Sequence, residues 1–452
     1  MMGKVTILHY NDNADCMISS GGRISTMDGT AGQIYEKSLS AGKEKNERLI
    51  EKVMSSGHTS VLEHGSVNLA FENVSVLAEQ FLIEFRLGSF TVKSRRYVDF
   101  ANAGYYRPEM ETEAGQRFDA QVRTLFDVYE KLCQAGVPKE DARFVLPYCF
   151  CSNFFCTVNC RELIHIMNEL VYGRGAAVTE LRELGESLFS QCEAVMPYLA
   201  VRRPEAYRQE ALPIPEEKRR LRREAAGVLA GPDDPVKMIC DAAQIGRGMA
   251  PKALSEEEQD ALLRALLRSP RKRELEQVSF TLLFGGLSLS ALTHLTRHRM
   301  QSLVAPELLR CADYDDYVLP QTVVEAKMEQ PYREAFRSTA ETVQALREAG
   351  AKDEILSYLL LSGQRVPVLT TVNAGELYTF FRLRTCTRAQ WEIREAAEQM
   401  LFCLRQRYPR LFSLYGPTCF MTGKCPEGKM CCGKTAQIRE KFSELQSQTA
   451  AK

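Results

Sequence analysis

Two stretches along the chain have the near-continuous, β-branched and aromatic apolar character of strands, SVNLAF (66–71) and VSFTLLF (278–284), and each is flanked by longer segments with helical spacing. The second runs on into a further apolar stretch, so that FTLLFGGLSLSALT (280–293) reads as core. The clearest helix lies near the C-terminal end. Ile393, Ala397, Met400, Leu401 and Leu404 recur on one face, with Arg394, Glu395, Glu398 and Arg405 off it, and Pro409 marks its stop. The pattern predicts an α+β class, with a small sheet flanked by helices.

The pattern also repeats. MISSGGRIST (17–26) resembles MICDAAQIGR (238–247), and VLEHGSVNLAF (61–71) resembles ELEQVSFTLLF (274–284), 213 residues on. Arg86 and Ser89 match Arg299 and Ser302, again 213 apart, and CTVNCREL (156–163) matches TTVNAGEL (370–377), 214 apart. Four blocks in one order at nearly one offset indicate a duplicated unit. The predicted division is copy one over 1–212, a linker over 213–236, copy two over 237–416 and a Cys-rich tail over 417–452. The linker is bounded by Pro and Gly-Pro, and its basic run, EKRRLRRE, reads as a solvated face.

Composition narrows the class. Lys+Arg and Asp+Glu are equal at 58 each, so no global field points to a nucleic acid or a membrane surface, and anion binding has to come from local clusters. No stretch approaches ~18 uninterrupted apolar residues, and the first residues lack the layout of a signal peptide. Fifteen scattered cysteines without an export signal suggest reduced thiols and a cytoplasmic location.

Two local clusters carry candidate chemistry. HLTRHRMQSL (294–303) sets Arg297, His298 and Arg299 directly after a core segment, where cations need an anionic partner. In copy one the same frame reads FLIEFRLGSFTVKSRRY (81–97), with Glu84-Phe85-Arg86 in place of Arg-His-Arg. There Ser94, Arg95 and Arg96 offer a hydroxyl and two guanidinium groups within three residues, a cradle suited to phosphate.

These blocks, together with GHTSVLEH (57–64) and NAGELYTFFRLRTCTRAQWEIR (373–394), resemble the flavin-dependent thymidylate synthases over most of both copies. The resemblance implies reductive methylation of dUMP to dTMP, with FAD as cofactor and NADPH and methylenetetrahydrofolate as co-substrates. It assigns Arg384 the catalytic role of facing the uracil O2/N3 edge and stabilising negative charge there as C5 becomes nucleophilic. It places Ser94, Arg96 and Arg143 on the nucleotide with Arg297 and Arg384. It places flavin against Arg297, His298, Arg299 and Asn373 in copy two, and against His58, Ser60, Arg86, Asn159 and Arg161 in copy one. It leaves Arg95 without a role.

The departures from the family pattern are complementary. Copy one keeps Ser94-x-Arg96-Tyr97 but has Leu170 where the catalytic arginine would stand; copy two keeps Arg297-His298-Arg299 and Arg384, but its loop has become VAPELLR (304–310). The expectation is one composite nucleotide site per pair of copies, which form a pseudo-dimer, and a homodimer of chains imitating the family's tetramer. Two other readings stand beside it, a degenerate nucleotide- or flavin-binding protein without catalysis, and a flavin enzyme acting on another pyrimidine nucleotide. Cys419, Cys425, Cys431 and Cys432 are clustered as zinc or iron–sulfur ligands would be, although no Cys-x2-Cys pair is present, and a reduced, mobile tail is the alternative.

Overall fold

The computed structural model describes residues 3–210, 226–307 and 313–450. The basic run of the predicted linker and the end of the 304–310 loop lie outside the described residues. The chain divides into two compact units, Met1–Glu217 with Leu319–Ser362, and Lys218–Val318 with Gly363–Lys452.

Each unit is built on a four-stranded antiparallel sheet. The first contains β1 (Lys4–Tyr10), β2 (Ser66–Ser75), β3 (Ser89–Val92) and β4 (Cys151–Asn159) in the order β1-β2-β4-β3. The second contains β5 (Gly227–Ala230), β6 (Ser279–Ser288), β7 (Gln301–Val304) and β8 (Arg365–Asn373) in the order β5-β6-β8-β7. The registers repeat as well: Ser66 lies opposite Asn159 and Ser279 opposite Asn373, and both central pairs slip, between Phe71 and Val74 and between Phe284 and Leu287. The inner faces carry alternate residues, Val67, Leu69 and Phe71 in β2 and Phe280, Leu282 and Phe284 in β6, all buried. A duplicated α+β architecture is therefore present in the backbone pairing itself.

One device recurs at the end of each long central strand. Ser75 ends β2 and caps the helix Val76–Leu82, its hydroxyl accepting from Ala78 N at 3.0 Å. Its own N–H and hydroxyl donate to the Glu180 carboxylate at 2.7 and 2.5 Å. In the second unit Ser288 caps the helix Leu289–Thr296 and donates to Glu392 at 2.7 and 2.5 Å. A buried carboxylate is tolerable only with such charge-assisted partners. Burial pushes the Glu180 carboxyl above the usual carboxylate range.

The units do not follow the contiguous copies expected from the sequence. Gly227–Ala230, inside the predicted linker, is an edge strand paired to β6. Leu319–Ser362, inside predicted copy two, belongs to the first unit. There the helix Glu329–Glu348 packs on the helix Thr112–Gln134. The first buries Tyr332, Phe336 and Val343, the second Phe118, Val122 and Leu125. Gln121 Nε2 donates across this seam to Ser338 and Thr339 at 3.1 and 2.7 Å. Burial of one long apolar face on another outweighs chain order.

The helix predicted around Met400 spans Trp391–Arg407 and ends before Pro409. Its predicted polar face needs one correction. Arg405 is 0% exposed and donates to the carbonyls of Phe412, Tyr415 and Phe442 at 3.1, 2.7 and 3.0 Å. It stands four residues after Leu401 and so shares the core stripe. With no carboxylate among these contacts, burial pulls its pKa down to about 10. This guanidinium fastens the helix Thr435–Ala450 to the second unit at Phe442. Among the described residues, no helix is long and apolar enough to cross a membrane.

Candidate active site

In the second unit three side chains form a relay. Asn373 ends β8 and caps the helix Ala374–Arg384, its Oδ1 accepting from Glu376 N at 2.8 Å. An acidic residue in this first turn is favoured by the helix dipole. Glu376 Oε1 lies 2.9 Å from His298 Nδ1. At the other end of the same helix, Arg384 Nε donates to His298 Nε2 at 3.0 Å, and its Nη2 donates to His294 O at 3.1 Å. A guanidinium has donors only, so His298 must be neutral with its proton on Nδ1. Burial lowers the His298 pKa, Arg384 lowers it further, and Glu376 opposes both.

His298 is thus an internal residue, 6% exposed, with Phe380 edge-on at 5.1 Å. It stands beside Glu376 and Phe380 on the wall of a small, mostly apolar cavity. Its neighbours Arg297 and Arg299 are exposed, as the last turn of the helix Leu289–Thr296 releases them.

The first unit shows what the equivalent positions become without the relay. Phe85 stands where His298 does and is buried edge-on to His165 at 5.4 Å; Leu170 stands where Arg384 does and is also buried. Glu84, in place of Arg297, pairs with Arg174 at 3.2 Å. An apolar pair has replaced a polar one, and a charge has been reversed and satisfied locally.

The first unit keeps a different cluster. Ser94, Arg95 and Arg96 follow β3, and Ser94 Oγ accepts from Arg96 N at 3.3 Å. Arg95 is buried, bonded to Glu79, whose other oxygen accepts from Ser152 Oγ at 2.5 Å. Arg95 is therefore structural, and Arg96 is the partly exposed member. Glu140 gathers the rest, since its carboxylate accepts from Arg96 Nε at 2.6 Å and its backbone carbonyl from Arg143 Nε at 3.0 Å. Arg96 and Arg143 are thereby held around one residue that sequence reasoning did not single out.

The first-unit residues expected against flavin share one end of that unit. The turn Thr59–His64 packs on the helix Cys160–Val171, where Arg161 pairs with Glu63 at 2.7 Å and Asn159 caps Glu162 N at 2.8 Å. His58, Ser60, Arg86 and Arg161 are exposed there. Arg86 and Arg161 in this unit, and Arg297 and Arg299 in the other, are exposed guanidinium groups of the kind that hold a phosphate or an anionic ring edge. Within each unit the charge of these residues is of the sign that suits a flavin cofactor's phosphates.

The tail thiols are the ones expected to hold a metal. Cys419 is buried and Cys431 exposed, and among the described residues no group of three or more His, Cys, Asp or Glu side chains is placed to hold a metal ion. Cys425 nevertheless lies within hydrogen-bonding reach of Cys431, and Cys419 lies near Cys432.

Comparison with known proteins agrees with the duplication. The profile of the family described as Thymidylate synthase complementing protein matches twice, over residues 6–198 and 228–410. A flavin-dependent thymidylate synthase of Geobacter sulfurreducens is 33% identical over 208 residues, covering 45% of this chain and 89% of that protein. One from Clostridium tetani is 33% identical over 233 residues, covering 46% and 92%. Among solved structures, the UMP/dUMP methylase PolB from Streptomyces cacaoi, bound with 5-Br dUMP, is 22% identical with a TM-score of 0.37, covering 44% of this chain and 93% of that one.

Proposed function

Because this chain belongs to the flavin-dependent thymidylate synthase family, we propose that it methylates dUMP to dTMP, taking the carbon from methylenetetrahydrofolate and reducing equivalents from NADPH. The nucleotide is gripped by Ser94, Arg96 and Arg143 of the first unit and by Arg297 and Arg384 of the second, one composite site per pair of copies in a pseudo-dimer. The observation that carries this reading is the complementary retention: Phe85 and Leu170 stand where His298 and Arg384 form their hydrogen bond, while the Ser94–Arg96 loop survives only in the first unit.

In this reading Arg96 and Arg143 bind phosphate, which competes with the Glu140 carboxylate for Arg96. Arg384, fixed from behind by His298 and the His294 carbonyl, presents positive charge to the O2/N3 edge of the uracil and stabilises the anion that develops as C5 becomes nucleophilic. Flavin, when bound, supplies the electrons for the reduction. Arg297 and Arg299, with Arg86, Asn159, Arg161, His58, Ser60 and Asn373, are the residues that would hold it. No cysteine nucleophile is needed, and burial pushes Cys156 and Cys160 up to about 12, far from thiolate at neutral pH. Two such chains together would form the double-length counterpart of a tetramer.

A visible spectrum of the purified protein, followed by anaerobic NADPH addition with and without dUMP, tests the reading. A flavin spectrum that bleaches faster with dUMP, and dTMP formed when methylenetetrahydrofolate is added, is the expected result. A protein that takes up no FAD would overturn it in favour of a binding role without this chemistry.

A further inference from the structure

Arg384 does not hold its own position. Its Nε depends on an unprotonated His298 Nε2, 3.0 Å away, and an imidazole is an acceptor there only if its proton sits on Nδ1. Glu376 accepts that Nδ1 proton at 2.9 Å, from a side chain that is itself only 13% exposed. The Glu376 backbone N–H is already served by Asn373, so the carboxylate is not required for capping. We infer that Glu376 is a positioning residue for Arg384, acting through His298 by fixing its tautomer. This rests on the reading of Arg384 as the guanidinium that faces the uracil.

The orientation of charge makes the assignment specific. With the proton on Nε2 instead, His298 would point an N–H at the Arg384 N–H, and the guanidinium would lose the side-chain acceptor that aims it. The His294 carbonyl, at 3.1 Å from Nη2, restrains the other end of the fork but does not fix Nε. In the first unit the equivalent glutamate, Glu162, survives although Phe85 and Leu170 stand in place of the His298–Arg384 pair; it accepts from the backbone of Leu87 and lies near the charges of His165, Arg161 and Arg86. The position therefore has a packing use as well, and the test has to read the imidazole and not folding alone.

The chain has six histidines, so the 15N resonances of His298 can be assigned in histidine-labelled protein by comparison with His298→Asn. The full-length protein and its Glu376→Gln and Glu376→Ala variants are compared. Gln keeps an oxygen for Nδ1–H and should retain the wild-type tautomer, with kcat within a few fold. Ala should move proton density to Nε2 and lower kcat by roughly 10–100-fold, the scale for loss of an orienting partner, while KM for dUMP changes little. Should Glu376→Ala not fold, Glu376→Asp keeps the charge, withdraws the carboxylate by one methylene and should behave as Ala does. Wild-type kcat in the Ala or Asp variant, an unchanged tautomer, or equal losses in Gln and Ala would each overturn the inference. Arg384→Ala separates the two readings. If it is fully active, the role of Arg384 itself fails. If it is inactive while Glu376→Ala is not, only the positioning role fails.

Discussion

The guanidinium and carboxylate groups divide into those that face outward and those that hold others in place. Arg384→Ala is expected to abolish dTMP formation with circular dichroism near wild type, because the residue stands at the end of its helix, bonded to the His298 imidazole and the His294 carbonyl. Arg96→Ala should raise the Kd for dUMP by roughly 10–100-fold, the loss of a charge-assisted hydrogen bond, read by calorimetry. Glu140→Gln should lower the same Kd, since it removes the anion that competes for Arg96. His298 makes a pH prediction. Its folded pKa is depressed by burial, so between that value and the unfolded ~6.5 the unfolded chain binds more protons, and stability falls as pH falls through this window. Burial raises the carboxyls of Glu84, Glu162 and Glu180, which work in the opposite sense at lower pH. The difference in Tm between wild type and His298→Asn at pH 7.5 and 5.5 isolates the histidine, with wild type expected to lose more. The arginines were legible in the sequence because each sits in a recognisable block. Glu376 and Glu140 were not, because their partners lie 78 and 44 residues away. The one available signal was that Glu162 and Glu376 recur in the matched blocks VNCREL and VNAGEL.

At the scale of elements, the long central strands and the helix Trp391–Arg407 could be read from periodicity, since each buries a complete face. The short strands could not. β3, β5 and β7 have four residues each, too few to show a period, and β5 follows a basic run that resembles a linker. Arg405 reads as a polar-face residue by its charge, but its position in the helix decides otherwise. It lies on the apolar stripe and is satisfied by three carbonyls. Replacing Arg405 with Ala leaves those carbonyls without their donor and should cost roughly 1–3 kcal/mol or more, the scale for buried acceptors left unsatisfied. Chemical denaturation measures that loss, and faster proteolysis between 417 and 434 would show that the tail helix has lost its attachment.

At the scale of the whole molecule, duplication with complementary loss predicts a stoichiometry. Calorimetry should find one dUMP per chain and not two, because Phe85 and Leu170 leave the first unit without the imidazole–arginine pair of the second. The repeat was plain in the sequence, yet the partition of the units was not, because offset reports ancestry while packing decides where a segment settles. The apolar face of Glu329–Glu348 settles on Thr112–Gln134, more than two hundred residues before it. That seam has a consequence for biosynthesis. At the ~5–20 residues per second of translation, a nascent chain that has emerged as far as β4 must wait several seconds to tens of seconds for the helix that completes its own unit. Through that interval the face of Thr112–Gln134 that meets Glu329–Glu348 lacks that native cover, and a ribosome stalled anywhere before residue 319 would present an incomplete domain to the chaperones of the cell.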